Sequence, residues 1–196
     1  MKIVTGTAET LPAATLFDMA HYRYRVFVQM LGWKLHPRGR LELDRFDRRD
    51  TRYVLALDDD GGSVRGMARL LPTERPYLLA DEFPELLGGQ APVRSARVWE
   101  LSRFAAIDPD APRPANARFG ASADALALLD SVMKIACAAG VQQLVTVSPL
   151  GIERMLARAG ITATRLAPPV CLGRHGLFAC RIELAPSLAH RARVSA

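Results

Sequence analysis

Apolar and polar positions alternate weakly over Met1–Val4, which predicts a first edge strand. From Leu11 to Leu31 the apolar spacing lengthens to that of a helix. Leu16, Ala20, Phe27 and Leu31 form its stripe, Arg23 falls on or beside it, and Gly32 closes it. Lys34–Asp50 carries no period and reads as a long loop anchored by Leu41, Leu43 and Phe46. Tyr53–Leu57 and Ser63–Leu71 are short strands joined through Asp58-Asp59-Asp60-Gly61-Gly62, a hairpin signal. Pro72–Arg97 leaves the sheet, with a short helix over Asp81–Leu87 ended by Gly88-Gly89. Arg97–Ala106 returns as a strand through the middle, stopped by Asp108-Pro109. Ala121–Ala139 reads as a helix capped at Ser122, with Leu126, Leu129, Met133, Ala136 and Cys137 on its buried face. Strand Gln143–Val147, helix Pro149–Ala159 and strand Ile161–Leu166 form a crossover unit, and Val170–Leu172 and Leu177–Leu184 add strands.

These elements predict an α/β (α+β) domain over residues 1–185, a mixed, mostly antiparallel sheet of about seven strands with helices on both faces, and a basic tail over 186–196. With 196 residues, 49% of them hydrophobic, one sizeable core is the expectation. The formal charge of +6 is unevenly spread: residues 1–153 hold nineteen groups of each sign, whereas 154–196 hold seven arginines against Glu183. That asymmetry fits an acidic partner, and equally a genome rich in arginine codons. Cys137, Cys171 and Cys180 lack metal or disulfide spacing and read as buried free thiols. No signal-like or membrane-spanning apolar run occurs, so a cytoplasmic protein without membrane attachment is expected.

Charge in apolar elements is what needs explaining. Glu100 and Arg103 stand in the central strand and Arg69 in the second hairpin strand; with Arg23 they are either structural pairs or the lining of a polar pocket. Asp44 and Asp47, three apart in the loop, could meet a cation or amine, or be solvated. In a regular strand Glu100 and Arg103 have opposite parity, so a shared pocket requires a bulge or splay. No dinucleotide, P-loop or nucleophile-elbow motif is present, the four histidines have no ligand spacing, and no nucleic-acid motif accompanies the arginines. Metal, hydrolase and nucleic-acid readings therefore fall low.

Ordered segments then carry a resemblance: Arg23-Tyr24-Arg25-Val26-Phe27, Leu31-Gly32-Trp33, Glu42-Leu43-Asp44-Arg45-Phe46-Asp47, Met67-Ala68-Arg69-Leu70-Leu71-Pro72-Thr73, Phe83-Pro84-Glu85-Leu86 and Trp99-Glu100-Leu101-Ser102-Arg103-Phe104. Over residues 10–184 the chain resembles the acyl-homoserine lactone synthases, which make bacterial quorum-sensing signals on a fold like the GNAT acyltransferases. The resemblance implies S-adenosyl-L-methionine as a substrate rather than a cofactor, acyl-acyl carrier protein as donor with acyl-CoA as the alternative, and release of methylthioadenosine. It also implies Glu100, Arg103 and Arg69 as catalytic residues, with Arg23, Phe27, Trp33, Asp44 and Asp47 holding the adenosylmethionine. The acyl chain is then expected against Leu126, Met133, Thr146, Ser148, Leu150 and Met155, and the carrier protein against Arg154 and Arg158, with Arg165 or Arg174 adding to that surface.

Overall fold

The hairpin forms because its turn residues permit it. Gly61 takes φ +72° and the Asp58 carboxylate accepts from the Gly62 amide at 2.8 Å, so β2 (Arg52–Leu57) folds back on β3 (Val64–Pro72). The structure is a computed structural model that describes residues 1–111, 122–172, 175–185, 187 and 188. β1 (Lys2–Gly6) pairs with β2, and β4 (Val98–Ala106) with β3, all antiparallel. Ser122 Oγ accepts from the Ala125 amide at 3.1 Å and starts α3 (Ala123–Ala138), which returns the chain so that β5 (Gln143–Pro149) lies parallel to β4. α4 (Leu150–Arg158), β6 (Ala163–Arg165), β7 (Val170–Leu172) and β8 (His175–Glu183) follow. β8 inserts between β5 and β6, giving the order β1-β2-β3-β4-β5-β8-β6 with β7 paired to β8. The predicted crossover through α4 therefore spans one intervening strand, and the crossover between adjacent parallel strands runs through α3.

One face of the sheet packs on α3 and α4 through Leu70, Leu101, Leu129, Met133, Leu144, Met155 and Ile182. The other packs on α1 (Ala13–Arg23) through Leu55, Met67 and Ala105, and on α2 (Leu78–Glu82) and a 3-10 turn (Pro84–Leu87) through Leu71, Tyr77, Leu79 and Val145. The long helix predicted over 11–31 is α only as far as Arg23; Tyr24–Met30 is π-helical. Eight strands are present among the described residues, rather than about seven. Leu43 is 50% exposed, so Glu42 and Phe46 are the loop's fully buried anchors. Cys137 and Cys171 are exposed and only Cys180 is buried, because Cys137 falls one position off the α3 stripe. Ser187 packs inward and its hydroxyl accepts from the Thr162 amide, while the rest of the predicted tail (186 and 189–196) lies outside the described residues. Among the described residues no helix is long and apolar enough to cross a membrane.

Two irregularities in β4 set up the site. Its ladder with β5 runs from Val98↔Gln143 to Leu101↔Thr146 and then stops, although both strands continue, so the sheet splays beyond Leu101. Against β3 the register shifts by one, with Ser102 opposite Arg69 but Ala105 opposite Met67. Arg103 and Phe104 thus oppose Ala68 in a bulge, and Arg103 carries the positive φ, +51°, that such a bulge needs.

Candidate active site

The bulge resolves the parity conflict. In an unbroken strand Arg103 would share a face with Leu101; instead its guanidinium reaches Glu42 and Asp44, on the face that also carries Arg69 and Ser102. Glu100 and Leu101 are still paired with β5, and the opening begins at Ser102.

Three arginines and three loop acids meet there. Glu42, fully buried, accepts from Arg23 Nε at 2.6 Å and from Arg103 Nη2 at 3.0 Å. Asp44 accepts from Arg69 Nη1 at 2.6 Å and Arg103 Nη2 at 2.8 Å, and Arg23 Nη2 stands 3.8 Å away. Asp47 accepts from Arg23 Nη1 at 2.7 Å, from the Tyr53 hydroxyl at 3.0 Å and from the Asp44 amide at 2.7 Å, with Arg69 Nη1 at 3.2 Å. Burial works against the charge on Glu42 and Asp47, but the neighbouring guanidiniums outweigh it and hold both below the usual carboxylate range. The formal charges cancel, which is how six ionised groups are tolerated together in a largely buried place. Two donors remain over: Arg23 Nη2 and Arg69 Nη2 are buried without a hydrogen-bond partner. Such donors are costly to leave empty and suit an incoming carboxylate.

The π-helical turn delivers the aromatic wall. Phe27 is buried and stacks on Trp33 with centroids 4.9 Å apart, and the Arg103 guanidinium lies 5.7 Å from one ring and 5.9 Å from the other. Wide π turns inside helices often mark functional positions. Gly32 at φ +66° lets the chain turn back directly before Trp33.

Glu100 lies behind this cluster. Its carboxylate accepts from the Leu78 and Leu79 amides at 2.9 and 2.6 Å, capping α2, and burial pushes its pKa up to about 7 against those bonds and the pull of Arg69 and Arg103.

The splay opens a cleft of about 50 Å³ lined by polar residues Ser102, Arg103, Thr146 and Ser148 and by apolar residues that include Trp33, Phe104, Leu129, Ile152, Met155 and Leu156. It joins the arginine face to the α3/α4 face. The Thr146 and Ser148 hydroxyls face each other at 3.4 Å. Three of the expected acyl contacts do not line the cleft. Leu126 is only half-buried against the core, Met133 is buried in the core one turn along α3 from Leu129, and Leu150 is 40% exposed, because α4 begins there and turns its first residue to the surface. On α4, Arg154 and Arg158 are exposed, one turn apart. Arg165 is instead engaged by Glu153, with both contacts at 2.6 Å, and Arg174 lies outside the described residues.

Among functional candidates Glu42, Ser102 and Tyr53 gave no signal of their own. Glu42 stood in an aperiodic polar loop, and Tyr53 and Ser102 read as ordinary strand residues. Ser102 Oγ accepts from Arg69 Nε at 3.0 Å and lines the cleft.

A family model described as autoinducer synthase matches residues 8–190. The chain is 42% identical over 184 residues to an acyl-homoserine-lactone synthase of Acinetobacter nosocomialis, covering 94% of this chain and all of that one. It superposes on TofI, solved with an inhibitor and MTA, with TM-score 0.84 and 39% identity over 98% of this chain and 97% of that one. It also superposes on MesI, a CoA-dependent acyl-homoserine lactone synthase, with TM-score 0.82 and 28% identity over 98% of this chain and 94% of that one.

Proposed function

Since this chain belongs to the autoinducer synthase family and is an acyl-homoserine-lactone synthase on a GNAT-like fold, we propose the following division of labour among its residues. The reaction joins S-adenosyl-L-methionine to an acyl thioester and releases methylthioadenosine. The methionyl amine attacks the thioester carbonyl, forming the C–N bond as the C–S bond breaks and the thiolate leaves. The carboxylate then attacks the γ-carbon, closing the lactone and expelling neutral methylthioadenosine from the sulfonium.

The unpartnered Nη2 groups of Arg23 and Arg69 are the observation that carries the assignment: two buried donors are available for the methionyl carboxylate. Asp44, the most exposed of the three acids, meets the ammonium, and Phe27 with Trp33 closes over the adenosyl part. Asp47 orders the arginines without touching substrate. Glu100 takes the amine's proton through a water, since each carboxylate oxygen keeps a lone pair beyond its bond to α2. The oxyanion finds donors in the β4 backbone past Leu101, where the ladder to β5 has ended, with Arg103 beside it. The acyl chain runs through the splay past Thr146, Ser148 and Met155.

For the donor, acyl carrier protein is our reading and acyl-CoA the alternative. Arg154 and Arg158 are exposed one turn apart with no ion-pair partner among the described residues, and Leu150 adds an exposed apolar residue on the same face. Like charges at that spacing cost helix stability, and an acidic helix would offset the cost. Both substrates being soluble metabolites or carriers, we place the reaction in the cytoplasm. The test is incubation with S-adenosyl-L-methionine and a panel of acyl-carrier proteins and acyl-CoAs, read by mass spectrometry for lactone and methylthioadenosine. With wild type, kcat/KM for the amine substrate rises with pH to a plateau above about 7. Glu100→Gln loses turnover by about a hundredfold or more while still binding adenosylmethionine; unchanged turnover would reject the base.

A further inference from the structure

We infer that Tyr53 is a positioning residue for the amino-acid end of the substrate, acting through Asp47 on Arg23 and Arg69. This rests on the reading that those two arginines hold the methionyl carboxylate. β2 and β3 pair Tyr53 directly with Arg69, so the two side chains leave the sheet side by side on one face. Tyr53 is 2% exposed, and its hydroxyl donates to Asp47 Oδ1 at 3.0 Å. The same oxygen accepts from Arg23 Nη1 at 2.7 Å and has Arg69 Nη1 at 3.2 Å, while Oδ2 takes the Asp44 amide at 2.7 Å. Asp47 is thereby saturated, and its side chain is only 5% exposed.

Asp47 engages Nη1 of each guanidinium, which leaves Nη2 of each, buried and without a hydrogen-bond partner, as the donor still open to a ligand. The direction of those two donors depends on where Oδ1 stands. The two arginines pull on Oδ1 from α1 and β3, and the third donor, from β2, defines its position. A phenol is suited to this role because it donates one hydrogen bond, brings no charge to a cluster already balanced, and is carried on a rigid strand. Burial, together with Asp47, raises the phenol's pKa well above its ordinary value, so it remains a donor throughout the working range.

Methylthioadenosine has the adenosyl part of the substrate but neither its carboxylate nor its amine, and it separates positioning from general damage. Calorimetric titration of Tyr53→Phe is expected to give a Kd for S-adenosyl-L-methionine about three- to tenfold above wild type, less than the direct loss of one charge-assisted hydrogen bond because the phenol acts through Asp47. The Kd for methylthioadenosine should stay within about twofold, with the ring still packed and the melting temperature held. Unchanged adenosylmethionine binding, or an equal loss for both ligands, would overturn the role. Arg69→Lys, titrated in parallel, tests the underlying reading separately. If it binds adenosylmethionine as wild type does, the carboxylate assignment is wrong and the Tyr53 role falls with it. If it is weakened while Tyr53→Phe is not, the arginine assignment stands and Tyr53 alone is rejected.

Discussion

Arg103 combines a backbone that prefers glycine with a side chain that glycine lacks. Its φ of +51° sits in the left-handed region, which costs a non-glycine residue about 1–2 kcal/mol. Its guanidinium meanwhile engages Glu42 and Asp44 and covers two rings. Substitution separates these roles. Arg103→Gly and Arg103→Ala both lose the ion pairs, but the glycine variant should unfold with a stability about 1 kcal/mol above the alanine variant. Chemical denaturation of the two reads the difference, and equal stabilities would mean the strain has relaxed elsewhere. At this scale the charged candidates were legible because arginines and a glutamate in apolar strands are anomalous wherever they occur. Glu42 was not legible as a site residue, since a carboxylate among loop carboxylates looks solvated until the partner strands are known. Leu150 is the converse case: an apolar residue beside an apolar strand looks buried in the sequence, and the first residue of α4 is 40% exposed.

Among the elements, α4 has two edges with different tasks. Ile152, Met155 and Leu156 line the cleft, while Arg154 and Arg158 face solvent on the opposite side. Reversing the latter pair, Arg154→Glu with Arg158→Glu, should raise KM for an acyl-carrier protein about tenfold or more at low ionic strength and leave KM for the corresponding acyl-CoA nearly unchanged. Steady-state kinetics with both donors at two salt concentrations checks it, and an equal change for both would remove the docking assignment. The strands, the hairpin and the two long helices could be read from periodicity and turn residues. The π-helical stretch could not, because a change from α to π leaves the apolar spacing almost the same while shifting which residues face the cluster. The β4 bulge was foreseeable only as a parity conflict between Glu100 and Arg103, and its position at Arg103 emerges from the pairing with β3.

In the whole molecule, charge makes two opposed contributions to stability. Glu42 and Asp47 bind protons less readily folded than unfolded, so their contribution is present above the ordinary carboxylate range and lost as pH falls through their lowered values. Glu100 behaves in the other sense: the unfolded chain releases its proton near the ordinary 4.5, the folded chain only near 7. The folded state therefore holds the extra proton between these values, and stability from this group falls as pH rises through that window. Thermal unfolding of wild type and Glu100→Gln should show the curves separating between about pH 4.5 and 7; parallel curves would mean that Glu100 is ionised throughout. Mixed-sheet architecture was legible from the order of elements, but the strand order was not, since nothing local tells β8 to enter between β5 and β6. The splay between β4 and β5 has a further result for inheritance. The arginine–carboxylate cluster and its aromatic wall come from residues 23–103, whereas most of the cleft lining, from Leu129 to Ile182, comes after them. With the acyl chain in this cleft as proposed, substitutions in the second half of the gene can alter the emitted signal without touching the arginine–carboxylate cluster.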